Sequence, residues 1–458
     1  MRALLVLFAL IQFSSSATYA SDNLLQKSNN NQFAGNSTKA LERQNTGAMA
    51  GNTAEVWTLE SSIKHTATVA PELRAAEAEI AVRTGGLLQA DAWPNPIITL
   101  RTDEKLGIED GRGGFNLSQV TITQALPMNR LNQQRIVAAA ELEVVRAAQR
   151  YQRLQLENRT AQAFHALQLA TERQRLAQER LDFAENMQLG NSRSSTDRPG
   201  NDRLVRYLSP LERARLAILR ETARQDVALA EGKWSESLAQ FRALLAMPPD
   251  ALPETTRLVP AVAPDVLNTL LSRLEAHPAL QAAQLTRDAS RASVDAARAQ
   301  RFADPTLSVI HEQDYLAGER RNYIGLMLGV PIPVWNRSDG GVVRALGESD
   351  KAEAALEVMR RDLASRLRQS HLHLGHLIEQ AEHYHTHLLQ PARQVLDLTR
   401  KGYISGEQNG LALVDASNTY FDAQARYLEL LRDAWSEAAE LRLAAGVSLI
   451  DPSTGGAK

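Results

Sequence analysis

The chain has 458 residues, a formal net charge of −2 and no cysteine. Without cysteine there is no disulfide, thiolate metal site, cysteine nucleophile or lipid-carrying N-terminal cysteine, and the balanced charge gives no electrostatic footprint for nucleic acid. Aromatic residues make up only 5%, while Ala, Leu, Arg, Glu and Gln dominate, a composition of long helices and coiled coils.

Residues 1–20 read as a secretory signal peptide. Met1-Arg2 is a positive start, Ala3 to Phe13 an apolar core, and Thr18-Tyr19-Ala20 a small-residue cleavage site. Residues 21–56, rich in Asn, Ser, Gly and Thr, read as a disordered leader. No later segment has an apolar run of the roughly 20 residues a spanning helix needs, so a membrane-embedded part must be a β-barrel.

Thr58 is the predicted N-cap of a helix running to about Ala92, where Trp93-Pro94-Asn95-Pro96 stops it. Ile97 to Leu106 and Phe115 to Leu126 are predicted strands, joined by the Gly-rich segment 107–114. A helical pattern follows from about Met128 to Met187, roughly 60 residues or about 90 Å. Gly190 to Asp202 is a polar break, and Asn191 to Asn201 reads as an insertion. A second long helix, about Leu204 to Ala246, stops at Pro248-Pro249.

The pattern then returns. Pro278 opens a helix as Pro71 does, and Asp304-Pro305 stops it as Asn95-Pro96 stopped the first. Thr306 to Tyr315 and Asn322 to Val334 are predicted strands, and Asn336-Arg337 starts a long helix as Asn129-Arg130 does. Both Pro71 to Pro278 and Asn129 to Asn336 span 207 residues, which predicts an internal duplication. The first repeat is placed at 57–262, the second at 263–447, and a flexible tail at 448–458.

The second pair of long helices is predicted at about Val342 to Gly402 and Asn409 to Ala445. In the former, Leu356, Met359, Leu363, Leu367, Leu374, Leu377, Ala381, Tyr384, Leu388, Ala392 and Val395 step by three and four in alternation, the coiled-coil period. In the last strand Ile324, Leu326, Leu328 and Val330 alternate with Gly325, Met327 and Gly329, as one lipid face and one lumen face require. Four strands cannot close a barrel, and open edges are not tolerated in lipid. Three copies supply twelve strands. Trp93, Tyr315, Tyr323 and Trp335 lie near strand ends, where an aromatic girdle belongs. The predicted fold is mainly α with a small β part: a long α-helical coiled-coil barrel, and four strands per protomer forming a trimeric 12-stranded outer-membrane β-barrel.

On these residues the chain resembles the TolC-type outer-membrane efflux proteins, from Thr58 to Val447. The motif Tyr403-Ile404-Ser405-Gly406-Glu407, followed by Leu413-Val414-Asp415-Ala416 and Tyr420, is similar to the family's periplasmic turn between the second pair of long helices. The resemblance implies that Gly406 permits the reversal, that Tyr403 tethers neighbouring helices of a closed tip, and that Asp415 projects into the pore, giving three carboxylates in a trimer. Such a ring attracts cations; the alternative is that Asp415 serves the dipole of its own helix start. The basic partner some members carry after the glycine is absent, with Gln408 near its place. Ser209-Pro210-Leu211-Glu212 resembles the family's first-half helix start, with Arg206 replacing the usual glycine. Pro391 matches a recurrent family proline and predicts a kink. The overall cast is more similar to the cation-efflux, CzcC-like branch than to TolC itself. By the same resemblance the partners are a homotrimer, a periplasmic adaptor, an inner-membrane RND-type proton-coupled pump and outer-membrane lipid.

Six of the ten histidines lie at His371, His373, His376, His383, His385 and His387. At 100° per residue His376, His383 and His387 share a face opposite the apolar stripe, with His373 at its edge. His383 and His387 stand at i,i+4, a spacing that can hold a metal ion. These are transient cation contacts in a metal duct or solvated surface histidines. No cofactor is expected and no enzyme motif is present: His311-Glu312 lacks a second histidine at metal spacing, Gly111 to Gly114 lacks the lysine of a phosphate loop, and no serine has a nucleophile-elbow context. A multidrug duct and a periplasmic coiled-coil adaptor are the alternative functions, although the latter needs no strand pairs.

Overall fold

The computed structural model describes residues 56–103, 117–127, 129–192, 210–316 and 319–449. The signal peptide, the leader through residue 55, the Gly-rich segment 107–114, Met128, the break and insertion from residue 193 onward, residues 204–209 and the tail from 450 lie outside the described residues.

Thr58 caps α1 (Leu59–Val69) reciprocally. Its hydroxyl accepts from the Ser61 amide at 3.1 Å, and the Ser61 hydroxyl accepts from the Thr58 amide at 2.9 Å. The single helix predicted from Thr58 to Ala92 is instead two. Pro71 holds Ala70 in an extended conformation (φ −62°, ψ 124°) and becomes the first residue of α2 (Pro71–Asp91), because the proline ring disfavours helical geometry one residue earlier. The strands are β1 (Ile97–Asp103), β2 (Leu117–Ala125), β3 (Thr306–Leu316) and β4 (Glu319–Gly329). Strand β4 begins and ends earlier than the predicted Asn322 to Val334, since Pro331 and Pro333 cannot donate to a ladder.

The long helices are α3 (Arg130–Ser192) and α4 (Pro210–Leu244) in the first half. A short α5 (Leu267–Ser272) precedes α6 (Pro278–Ala299). The second half carries α7 (Asp339–Tyr384), a π-helical turn (His385–Leu389), α8 (Gln390–Ser405) and α9 (Gly410–Ala445). Helix α3, at 63 residues, spans about 95 Å. The succession helix, strand, strand, long helix, long helix thus occurs twice. Pro71 and Pro278 occupy equivalent first-turn positions. The second marker slips: Asn129 directly precedes α3, whereas α7 starts three residues after Asn336, with Ser338 left-handed between them at φ 57°.

The sheet has the order β1-β2-β3-β4, antiparallel throughout. Its register sorts the side chains. One face carries the rows Ile98–Ile122–Val309–Leu326 and Leu100–Val120–His311–Ile324. The other carries Thr99–Thr121–Ile310–Gly325 and Arg101–Gln119–Glu312–Tyr323, with Thr123 and Ser308 sharing a hydroxyl hydrogen bond of 2.8 Å. The apolar face is bare within the protomer: Ile324 is 73% and Leu326 77% exposed. The 11 residues each of β3 and β4 match the roughly 9–11 that a tilted strand needs to cross a bilayer. Trp93, Tyr323 and Trp335 are all exposed.

The buried core is a string of clusters along the long helices. Leu356, Leu363, Leu367, Leu374 and Leu377 of α7 meet Leu430, Ala434, Ala438 and Leu441 of α9. Phe164, Leu167 and Phe241 join α3 to α4. Beside them, buried His165 stacks on Trp435 with ring centroids 4.7 Å apart and pairs through Nδ1 with Gln168 Oε1 at 2.8 Å. At the end of α6 away from the sheet His277 caps the helix: its Nδ1 accepts from the Ala279 amide, and its Nε2 donates to the Leu443 carbonyl at 2.9 Å. Gly446, at φ 70°, closes α9 against that ring; a Cβ there would lie 2.8 Å from His277 Cδ2.

Candidate functional site

Two places on the second long hairpin carry the residues singled out in the sequence. The first is the turn between α8 and α9. Gly406 ends α8 at φ 85°, a conformation that favours glycine. The amides of Glu407 and Gln408 then both donate to the Gly402 carbonyl, at 2.8 and 3.0 Å, satisfying the end of the helix as a Schellman-type cap does. The chain has reversed by Asn409, whose side-chain oxygen accepts from the Ala412 amide at 2.9 Å and caps α9.

This turn is tied to the first half of the chain. The Gly410 amide donates to Glu212 Oε1 at 3.3 Å, from the first turn of α4. A Cβ on Gly410 would stand 3.8 Å from Tyr403 Cε2, so the Tyr403 ring lies over the start of α9. Tyr403 also packs on the cluster of Met187, Leu216, Leu396, Leu413 and Ala416. Further along, Arg180 of α3 donates to Asp226 of α4 and to Asn418 of α9, both at 2.8 Å. In the sequence Glu212 marks only a helix start; nothing in a local pattern shows an acceptor reaching 198 residues along the chain.

Asp415 lies on the other side of α9. Leu413 and Ala416 are buried, while Leu411, Asp415, Thr419 and Asp422 form an exposed stripe. The carboxylate therefore points away from its own protomer's core, as a pore-facing role requires. It sits six residues into the helix from Asn409, beyond the first turn where the dipole acts.

The second place is the π-helical turn. The Gln390 amide donates five residues back to the His385 carbonyl, and Pro391, which has no amide hydrogen, follows at once. The extra residue shifts the buried stripe by one. Leu389, Ala392 and Leu396 are buried, whereas Leu388 is 44% and Val395 51% exposed. Beyond Tyr384 the predicted stripe therefore keeps Ala392 but loses Leu388 and Val395, because a period that assumes an unbroken α-helix fails at the wide turn. A cavity of about 430 Å³ opens beside this turn, lined among others by Glu172, Arg175, His385, Arg393, Tyr420 and Tyr427.

His376, His383 and His387 are exposed. The structure brings His383 and His387 together, ring centroids 4.6 Å apart and planes tilted by 42°. His376 does not join them: among the described residues no group of three or more His, Cys, Asp or Glu side chains is placed to hold a metal ion. His373 instead pairs with Glu437 at 2.9 Å, His371 bonds the Asp265 carbonyl at 3.0 Å, and His385 packs on Tyr427.

A bare apolar sheet face above long coiled-coil helices is the architecture of outer-membrane channels, and known proteins of that fold are similar to this chain. Solved structures of CusC are similar over 88% of this chain and 96% of theirs, with a TM-score of 0.69 at 17% identity. The open state of the MtrE outer membrane channel of Neisseria gonorrhoeae is similar over 85% of this chain and 89% of its own, with a TM-score of 0.68 at 18% identity. Residues 270–447 match the family described as outer membrane efflux protein. The cobalt-zinc-cadmium resistance protein CzcC of Cupriavidus metallidurans is 26% identical over 388 residues, 83% of this chain and 88% of that one. The second half of the chain thus matches the outer membrane efflux family, and the chain has the fold of the solved outer-membrane channels.

Proposed function

We propose that the chain is the outer-membrane duct of a tripartite export system, passing divalent or heavy-metal cations passively from the periplasm to the exterior. The observation that carries the duct is the open sheet. Strands β1 and β4 each present an unpaired edge, and no lipid-exposed sheet edge is tolerated. Three copies close the edges into twelve strands, an even number in the range of such barrels, and set twelve long helices beneath them. In that trimer the outer-membrane lipid meets the Ile324 and Leu326 face, and Thr99, Thr121 and Gly325 line the lumen.

At the far end, Gly406 and Tyr403 shape the gate, and three Asp415 carboxylates ring the narrow pore. A ring of that sign favours cations over anions. The likeness to CzcC supports metal cargo. The chain carries no energy-coupling motif, so an inner-membrane RND-type pump supplies the drive and a periplasmic adaptor bridges the two.

Growth of a deletion strain across zinc, cobalt, cadmium, nickel, copper and silver, alongside a panel of drugs and bile salts, tests the cargo. Selective sensitivity to one or a few metals, rescued by the wild-type chain, is the expected result. Sensitivity to drugs alone would sink the metal reading and favour a multidrug duct.

A further inference from the structure

We infer that His383 and His387 form a weak two-imidazole site for a borderline divalent cation of the zinc, cobalt, nickel or copper type. The purpose of such a site rests on the proposal that the chain conducts metal cations; its chemistry rests on the geometry alone.

A metal–imidazole nitrogen bond is about 2.0–2.1 Å, and the ring centre lies about 1.2 Å behind that nitrogen. Two rings sharing one ion at tetrahedral to octahedral angles therefore have centroids about 4.5–5.2 Å apart. The observed separation is 4.6 Å, with the planes tilted rather than stacked. The rings are already as close as a shared ion needs.

His371, His373 and His385 are each engaged, with the Asp265 carbonyl, Glu437 and Tyr427 respectively. His383 and His387 are exposed, and among the described residues the ring contact each makes is with the other. Two exposed ligands leave the remaining coordination positions to water, so an ion exchanges readily. Such lability suits a conducting wall, where tight binding would block flow. Neutral imidazole selects transition cations over calcium and magnesium, which prefer oxygen.

His387 lies inside the π-helical turn and His383 just before it. π-turns interrupt α-helices mostly where a function requires it, and this one displays the pair on the side away from buried Leu389.

The test uses the full-length chain, purified without a polyhistidine tag as the detergent-solubilised trimer, and titrates it with cobalt or zinc ions by calorimetry. We expect about one ion per chain, bound at least about tenfold more weakly in His383→Gln and in His387→Gln and unchanged in His376→Gln. Wild-type affinity in both His383→Gln and His387→Gln would overturn the site. Copper(II) electron paramagnetic resonance on the unmutated trimer gives a second readout: two nitrogen ligands support the site, and oxygen-only coordination refutes it. A deletion strain with no metal sensitivity would remove the cargo reading while leaving this binding intact. A negative titration would remove the site while leaving the cargo reading.

Discussion

Gln390 donates its backbone amide to the carbonyl of His385, five residues back rather than four. That one bond decides which side chains of the next two turns are buried. It hands the inner positions from Leu388 and Val395 to Leu389 and Leu396, and it spares the helix a clash by opening the ladder where Pro391 has no hydrogen to give.

The phase shift has a direct consequence for stability. Leu389→Ala and Leu396→Ala should each cost about 2–5 kcal/mol, the range for a buried leucine. Leu388→Ala and Val395→Ala should cost less than about 1 kcal/mol. The temperature at which the trimer band is lost on a gel orders the four variants. An equal loss for Leu388→Ala and Leu389→Ala would mean that the helix keeps its α phase.

Asp415 should govern ion preference. In planar bilayers, Asp415→Asn should lower the cation-over-anion permeability ratio several-fold by removing three charges from the trimer. An unchanged reversal potential in a salt gradient would return Asp415 to a structural role.

Glu212 ties the two halves of the tip. Glu212→Ala removes the acceptor of the Gly410 amide and should raise the open probability of single channels, at a stability cost of about 1–3 kcal/mol. Glu212→Gln keeps an acceptor oxygen and should stay near wild type. If both variants gate like the wild type, the contact does not hold the tip.

His165 gives the fold a pH dependence. Burial, with nearby Arg442 acting in the same sense and the Gln168 hydrogen bond against it, lowers its pKa to about 4, below the 6.5 of an unfolded histidine. Between these values the unfolded chain binds a proton that the folded chain does not, so stability falls as pH falls through this window and is complete above it. The loss between pH 7.5 and 5 should be about 2 kcal/mol. Burial lowers the pKa of His277 as well, with the same sign. His165→Gln should flatten the slope of stability against pH in part, whatever its effect at pH 7.5; an unchanged slope would exclude His165 as its source.

Much of this was legible in local chemistry. Thr58, Asn409 and Gly406 announce helix ends because capping depends on the residue itself and its near neighbours. The alternation of Ile324, Leu326 and Leu328 announces the two faces of β4, because the pleat has period two. The π-turn was hidden, since Leu388, Ala392 and Val395 continue the coiled-coil spacing on paper and only packing against Ala423 of α9 selects Leu389. The split at Ala70 followed from Pro71 itself, yet the apolar pattern ran through it. The bond from Gly410 to Glu212 and the stacking of His165 on Trp435 join distant parts of the chain, which no spacing rule reaches. The pairing of His383 with His387 was within reach of helical geometry; the engagement of their neighbours was not.

The two unpaired edges of the sheet also constrain how the protein is made. The helices can satisfy their own backbones in water one chain at a time, whereas β1 and β4 can do so only against another copy. A lone protomer in the periplasm therefore presents sticky strands and a greasy face that neither water nor lipid accepts. Folding of the membrane part and assembly of the oligomer become a single event. Production of the duct should then rise more steeply than linearly with synthesis of the chain, and a protomer with a defective strand edge should poison the trimers it joins.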